Sequence, residues 1–244
     1  MIWVINIDPR VRIVLALVFS IVVVSMHAIP LLLVTFVMAL AVLLGSGLPW
    51  QQTLKRMLAM DGFILIMLIM LPFTVPGEVW FDVWGFTASW QGLWRALEIA
   101  VKANAVILML LALVGSMESV TLGQALGKLK VPMAFVHLLL FTVRYIEVLK
   151  EEYQRLRQAM KARAFRPGNN WHTYRSVGYL FGMLLVRAME RSERVMEAMK
   201  CRGFTGQLPM LVQLRMSLTD WLFMAVMLLA LSSLVFLEIY RVLI

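Results

Sequence analysis

The stretch VRIVLALVFSIVVVSMHAIPLLLVTFVMALAVLLGSGL, residues 11–48, decides the fold class: after Arg12 it contains no Asp, Glu, Lys or Arg. As one helix it would extend ~57 Å, nearly twice the hydrocarbon core of a bilayer. It must therefore fold back on itself. His27-Ala28-Ile29-Pro30 is the natural turn, because a proline cannot continue a helix, and the spans then lie near 11–27 and 30–47. Arg10 and Arg12 ahead of an apolar run resemble the start of a secretory leader. Ser25-Met26-His27 is no small-x-small cleavage site, however, so the segment reads as a retained span.

Working outward, the same character fills most of the chain. Of 244 residues, 61% are hydrophobic and 15% charged, and the mean hydropathy is +0.84. Soluble domains sit nearer ~45–50% apolar and ~25% charged. This excludes an ordinary soluble enzyme, a disordered protein and a nucleic-acid-binding domain. The expected fold is all-α: a polytopic membrane protein with about five transmembrane helices and a long cytoplasmic helical region. Further spans are expected at Gly62–Val75, Leu93–Ser116 and Trp221–Leu237, with Tyr240 and Arg241 as an interfacial tail. The organisation is then residues 1–116 with four spans, 117–216 as cytoplasmic or interfacial helices, and 217–244 as a last span.

Charge supports that division. The net charge is +9. Residues 117–216 hold 16 of the 23 Lys and Arg and 7 of the 14 Asp and Glu, so they own the whole excess. Arg10, Arg12, Lys55 and Arg56 fall in loops that the positive-inside rule assigns to the cytoplasm, and the loop 77–92, with Glu78 and Asp82 but no Lys or Arg, to the outside. Four spans then return the chain to the cytoplasm before the basic region. Val131–Ile146 is apolar but only ~24 Å long as a helix, and it carries Arg144. It is expected as a helix buried at the cytoplasmic face rather than as a span.

Val143–Ala164 reads as a charged helix with Glu151→Arg155 at i,i+4 spacing, stopped by Arg166-Pro167-Gly168. A second helix, Trp171–Arg202, carries Glu190→Arg194 and stops at Gly203. Their ends repeat. Ala159-Met160-Lys161-Ala162-Arg163-Ala164-Phe165 recurs 39 residues later as Ala198-Met199-Lys200-Cys201-Arg202-Gly203-Phe204, identical at five of seven positions. Each copy offers a guanidinium at a helix C-terminus between small residues that let another backbone approach. Arginine presents a planar fork to carboxylate or carbonyl oxygens. A cation there also favours the helix macrodipole, but two copies of seven residues point to docking.

Gly123 with Gly127, and Gly178 with Gly182, are spaced for close helix crossing. Arg95, Glu98 and Lys102 share a face of the fourth span, where Glu98 can neutralise either neighbour and Arg95 can snorkel to the interface; the alternative is contact with a partner inside the membrane. Other chemistry is missing. Gly123-Gln-Ala-Leu-Gly127-Lys128-Leu129 fails as a phosphate loop, having three residues between the glycines and no Ser or Thr after the lysine. The three histidines are isolated, the methionines suit apolar packing, and Cys201 is the lone cysteine. No metal site or catalytic centre is expected in this chain.

The paired motifs, with Arg-Pro-Gly-Asn-Asn-Trp-His-Thr-Tyr-Arg and Gly-Met-Leu-Leu-Val-Arg-Ala-Met-Glu-Arg-Ser-Glu-Arg-Val between them, resemble the transmembrane T component of energy-coupling factor (ECF) transporters. The CbiQ type, associated with cobalt uptake, is the nearer match. The specific part covers about residues 155–206. That family is marked by two Ala-Arg-Gly-type motifs. Here Ala164 replaces the first glycine and Cys201 the second alanine.

The resemblance implies a non-catalytic subunit of an ABC-type importer in the cell membrane. Its coupling helices would transmit conformational change from two cytoplasmic ATPase subunits of the CbiO type, which bind ATP and Mg²⁺. The receiver would be a membrane substrate-binding component of the CbiM type, carrying Co²⁺ for cobalamin synthesis, with a small accessory membrane subunit of the CbiN type. Arg163 and Arg202 would each enter a groove of one ATPase, with Ala162, Ala164, Cys201 and Gly203 providing clearance. A nickel importer of the same build is the near alternative, and a self-sufficient secondary carrier or channel the alternative of another class.

Overall fold

A computed structural model describes residues 7–48, 50–75, 79–83, 86–204 and 216–243. Eight helices are present among them: α1 (Pro9–Ser25), α2 (Ile29–Gly45), α3 (Trp50–Thr74), α4 (Trp90–Leu113), α5 (Ser119–Lys128), α6 (Met133–Ala162), α7 (Trp171–Cys201) and α8 (Leu218–Leu243). A short antiparallel hairpin, β1 (Val79–Val83) and β2 (Phe86–Ser89), lies between α3 and α4. Two compact units result: Met1–Glu118 with Leu214–Ile244, and Ser119–Gln213.

The first unit is the apolar one. Three of its helices contain stretches long and apolar enough to cross a membrane: Thr53–Thr74, Trp90–Leu113 and Leu218–Arg241. Ile29–Gly45 is shorter but equally apolar. The outward faces of these helices carry many exposed apolar residues, among them Leu33, Val37, Leu58, Ile66 and Leu229, which suits a lipid surround. On α1, Val11, Leu15, Phe19 and Val23 recur every four residues and are buried, while Leu17, Ile21 and Val24 face outward. The buried stripe shares one core with Ala105, Leu108, Met109 and Ala112 of α4, with Met227, Leu231 and Leu234 of α8, and with Leu32, Ala39 and Leu43 of α2, which packs on α4.

Polar groups fasten the helix ends. Asp8 caps α1 by accepting the Arg10 N–H at 2.9 Å. The Asp8 N–H in turn donates to Asp220 Oδ1 at 3.0 Å, and the other Asp220 oxygen accepts the Ser217 N–H at 2.8 Å. At the far end of α8, Glu238 Oε1 accepts the N–H groups of His27 (2.9 Å) and Ala28 (3.2 Å). The α1–α2 turn has no side-chain cap of its own, so α8 supplies one. Arg12, buried in α1, donates to Ser116 Oγ.

Several expectations change. The third span begins within the polar stretch after Trp50 and runs as one 25-residue helix through Pro72 to Thr74. The fourth begins at Trp90, where Ser89 Oγ caps it by accepting the Gly92 N–H at 3.1 Å. The loop 77–92 holds the hairpin, because Val79-Trp80-Phe81 and Phe86-Thr87 are β-branched and aromatic residues that pair well; Glu78 lies outside the described residues. Val131–Ile146 and Val143–Ala164 are not separate: α6 is one 30-residue helix. Nor is its apolar start buried within the chain, for Phe135, Leu138 and Ile146 are exposed and only Val136 is enclosed.

Candidate functional site

Both arginine motifs belong to the second unit, at the ends of α6 and α7. At ~1.5 Å per residue these helices are each ~45 Å long. Glu152 and Arg187 join them by an ion pair, and Arg191 of α7 lies over the Tyr145 ring of α6, 6.0 Å from its centre. As the α6 partner moves back from residue 152 to 145, the α7 partner moves on from 187 to 191. The helices therefore run antiparallel past their contact. Arg163 stands 11 residues beyond Glu152 and Arg202 stands 15 beyond Arg187, so the two lie on opposite sides of the crossing, ~17 Å and ~23 Å along their helices.

The two ends are built alike, bond for bond. Arg163 and Arg202 are the C-cap residues, at φ −88° and −90°. Ala164 and Gly203 follow in the left-handed region, at φ +60° and +76°. The Ala164 N–H donates to Lys161 O and the Gly203 N–H to Lys200 O, both at 3.0 Å. The Phe165 N–H donates to Met160 O at 3.1 Å and the Phe204 N–H to Met199 O at 3.0 Å. This double bond pattern closes a helix by satisfying its last carbonyls, and it needs a residue that tolerates positive φ. Ala164 and Gly203 thus have a backbone role that the expectation of clearance did not include. They turn the chain so that each arginine sits on the shoulder of a finished helix. The aromatic residue after them is the one whose N–H completes the closure.

Ala162, Arg163, Ala164, Cys201, Arg202 and Gly203 are all exposed, and Cys201 is a free thiol. Among the described residues neither Arg163 nor Arg202 has an ion-pair partner within 4 Å, although Arg155 and Arg187 do. Two guanidinium groups are thereby held out to solvent with their donors uncommitted. The stop of α6 also differs from expectation: the helix ends at Ala162, ahead of Pro167, because the left-handed Ala164 has already closed it. Between the helices Asn170 caps α7, its Oδ1 accepting the Thr173 N–H at 3.0 Å and the Thr173 hydroxyl at 2.6 Å. Asparagine is favoured at this position because its side-chain oxygen satisfies a free amide of the first turn.

The glycines behave differently from one another. A Cβ on Gly123 would lie 2.8 Å from Leu140 Cδ2, so α5 packs closely on α6 there. Around Gly178 and Gly182 a Cβ would meet nothing within 4 Å, so that pair makes no close crossing among the described residues. A close approach that spacing did not flag is Gly92, where a Cβ would stand 2.8 Å from Pro72 Cα and 2.9 Å from Leu71 O. In α4, Lys102 Nζ reaches Glu98 at 2.6 Å and Val24 O at 3.3 Å. These two charges are used inside the chain, whereas Arg95 is exposed. The expected i,i+4 pair Glu151–Arg155 forms at 3.9 Å; Glu190 and Arg194 are not within ion-pair distance. No group of three or more His, Cys, Asp or Glu suited to a metal occurs among the described residues.

Residues 2–214 match the family model for CbiQ, described as cobalt transport protein. A protein of Listeria innocua named energy-coupling factor transporter transmembrane protein EcfT is 26% identical over 215 residues, 84% of this chain and 81% of its own length. The protein of that name from Brevibacillus brevis is 26% identical over 210 residues, 82% of this chain and 79% of its own. An uncharacterized protein of Methanocaldococcus jannaschii is 26% identical over 211 residues, 84% and 78% respectively.

Proposed function

The chain belongs to the CbiQ cobalt transport protein family, a family of transmembrane transporter components, and on that premise we propose that it is the coupling subunit of an ECF-type importer whose cargo is Co²⁺. It spans the cell membrane with its N-terminus and the α6–α7 region in the cytoplasm, on the side of Arg10, Arg12, Lys55 and Arg56. Arg163 and Arg202 dock one ATPase subunit each, of the CbiO type, and those subunits hold ATP and Mg²⁺. The moving helix pair acts on a membrane substrate component of the CbiM type, with an accessory CbiN-type subunit beside it. The resemblance to EcfT proteins supports the partners in kind, and the family's description supports cobalt over nickel.

One observation carries this reading: the helix stop is duplicated bond for bond, with an exposed, unpaired arginine on each copy and the copies on opposite sides of one crossing. A fork of N–H donors fixed on a closed helix end suits a groove lined with carboxylate or carbonyl oxygens. Two such forks suit two equivalent grooves that approach and separate as ATP is bound and hydrolysed. Closure of the ATPase pair then rotates α6 against α7.

The test is uptake of radioactive Co²⁺ into liposomes holding the complete complex. Truncating one partner of a desolvated charge pair costs roughly 2–5 kcal/mol, so Arg163→Glu or Arg202→Glu should lower ATPase recovery on purification and uptake by well over tenfold. The spans should still insert. Wild-type uptake by the double variant Arg163→Glu/Arg202→Glu would overturn the docking role. Replacing Co²⁺ by Ni²⁺ in the same assay separates the two cargoes.

A further inference from the structure

We propose that Glu152 is a positioning residue, and that its ion pair with Arg187 is the pin about which α6 and α7 cross. The proposal rests on the coupling role above and names the element that would set it mechanically. Glu151 and Glu152 are neighbours, yet their side chains are 69% and 19% exposed. The sheltered one faces two guanidinium groups: Arg187 from α7 and Arg155, at 4.0 Å, from its own helix. It is the one ion pair between different helices of this unit among the described residues.

Apolar packing does not fix the angle instead. The pin itself lines a half-open groove of about 780 Å³, walled by Phe141 and Leu149 of α6 and by Leu184, Val195 and Met199 of α7. Helices that share so open a seam can rotate without breaking a close-packed core, which would otherwise resist small displacements. The other polar contact across the crossing, Arg191 on the Tyr145 ring, tolerates sliding better than a charge pair because it has no fixed hydrogen-bond direction. With arms of ~17 Å and ~23 Å, a turn of about 10° at the pin displaces the two arginine ends by ~3 Å and ~4 Å.

Two readouts on the complete complex test this, both in an Arg155→Gln background that removes the second cation. The first is Co²⁺ taken up per ATP hydrolysed. Glu152→Arg and Arg187→Glu should each lower it roughly three- to fivefold, while Glu152→Arg/Arg187→Glu should return it to within about twofold of the background. The second is the distance distribution between spin labels at Gln158→Cys and Glu197→Cys in a Cys201→Ser chain. It should broaden in each single variant and narrow again in the swap. Singles indistinguishable from the background, or a swap no better than the singles in both readouts, overturn the pin. If the distances follow this pattern while uptake does not respond to Arg163→Glu/Arg202→Glu, the pin stands and the coupling role fails.

Discussion

Replacing Gly203 by alanine isolates a single backbone term. Gly203 is at φ +76°, and a Cβ built on it meets nothing within 4 Å. No clash contributes, so the cost is the left-handed conformation itself, about 1–2 kcal/mol for an L-residue. That corresponds to a roughly five- to thirtyfold shift toward the frayed helix end. Its counterpart is already strained, because Ala164 occupies the equivalent place at φ +60°. Ala164→Gly should therefore move the first copy by about 1 kcal/mol in the opposite direction. Hydrogen–deuterium exchange of the lipid-reconstituted protein reads the donors directly: the amides of residues 203 and 204 in one variant, and of 164 and 165 in the other. Exchange should quicken about fivefold or more in Gly203→Ala and slow several-fold in Ala164→Gly. Equal rates, or changes of the same sign in both, would refute the claim that positive φ closes these helices.

Three further perturbations follow from close contacts and charges. Gly92→Ala sets a methyl against the Pro72 Cα and the Leu71 carbonyl; backbone cannot yield as a side chain can, so α3 and α4 must part, lowering the thermal midpoint by an amount equivalent to about 1–3 kcal/mol. Lys102→Met removes the cation that serves both Glu98 and the Val24 carbonyl, from a pair whose side chains are only 14% and 19% exposed, and should cost about 1–3 kcal/mol in thermal unfolding, with Glu98→Gln/Lys102→Met recovering most of it. Gly178→Leu/Gly182→Leu has open space among the described residues and removes two glycines from the interior of α7; the melting of the isolated subunit should not fall and should rise by up to about 1–2 kcal/mol equivalent, and a fall in recovery of the assembled complex would locate a partner helix there.

Much of the architecture was legible because lipid imposes a simple rule. Runs such as residues 11–48 have one physical outcome, and Pro30 marks the turn. The second unit was harder. Its helices are amphipathic and long, so apolar Val131–Ile146 and charged Val143–Ala164 looked like different things when they are two ends of α6. The site was legible as a repeated heptapeptide, but its meaning was only half so. Small residues beside an arginine suggest clearance, whereas positive φ at Ala164 and Gly203 is a property of the backbone that residue size only hints at. Glu152 carried no signal at all: Glu151 and Glu152 are chemically equal in the sequence, and only the arrival of Arg187 from 35 residues away tells them apart. Pro72–Gly92 proximity was hidden for the same reason, being set by how two helices meet.

The hydrogen bond from the Asp8 N–H to Asp220 spans 212 residues, and during synthesis that separation becomes a delay. At ~5–20 residues per second the last helix follows the first by about 10–40 s. Throughout that interval the Asp8 amide is without its Asp220 acceptor, and the turn at His27–Ala28 waits equally for Glu238. A chain ending before Asp220 never completes either bond. Such a product would still carry the Asp8–Arg10 cap, but it would lack both of the bonds by which α8 fastens the ends of α1.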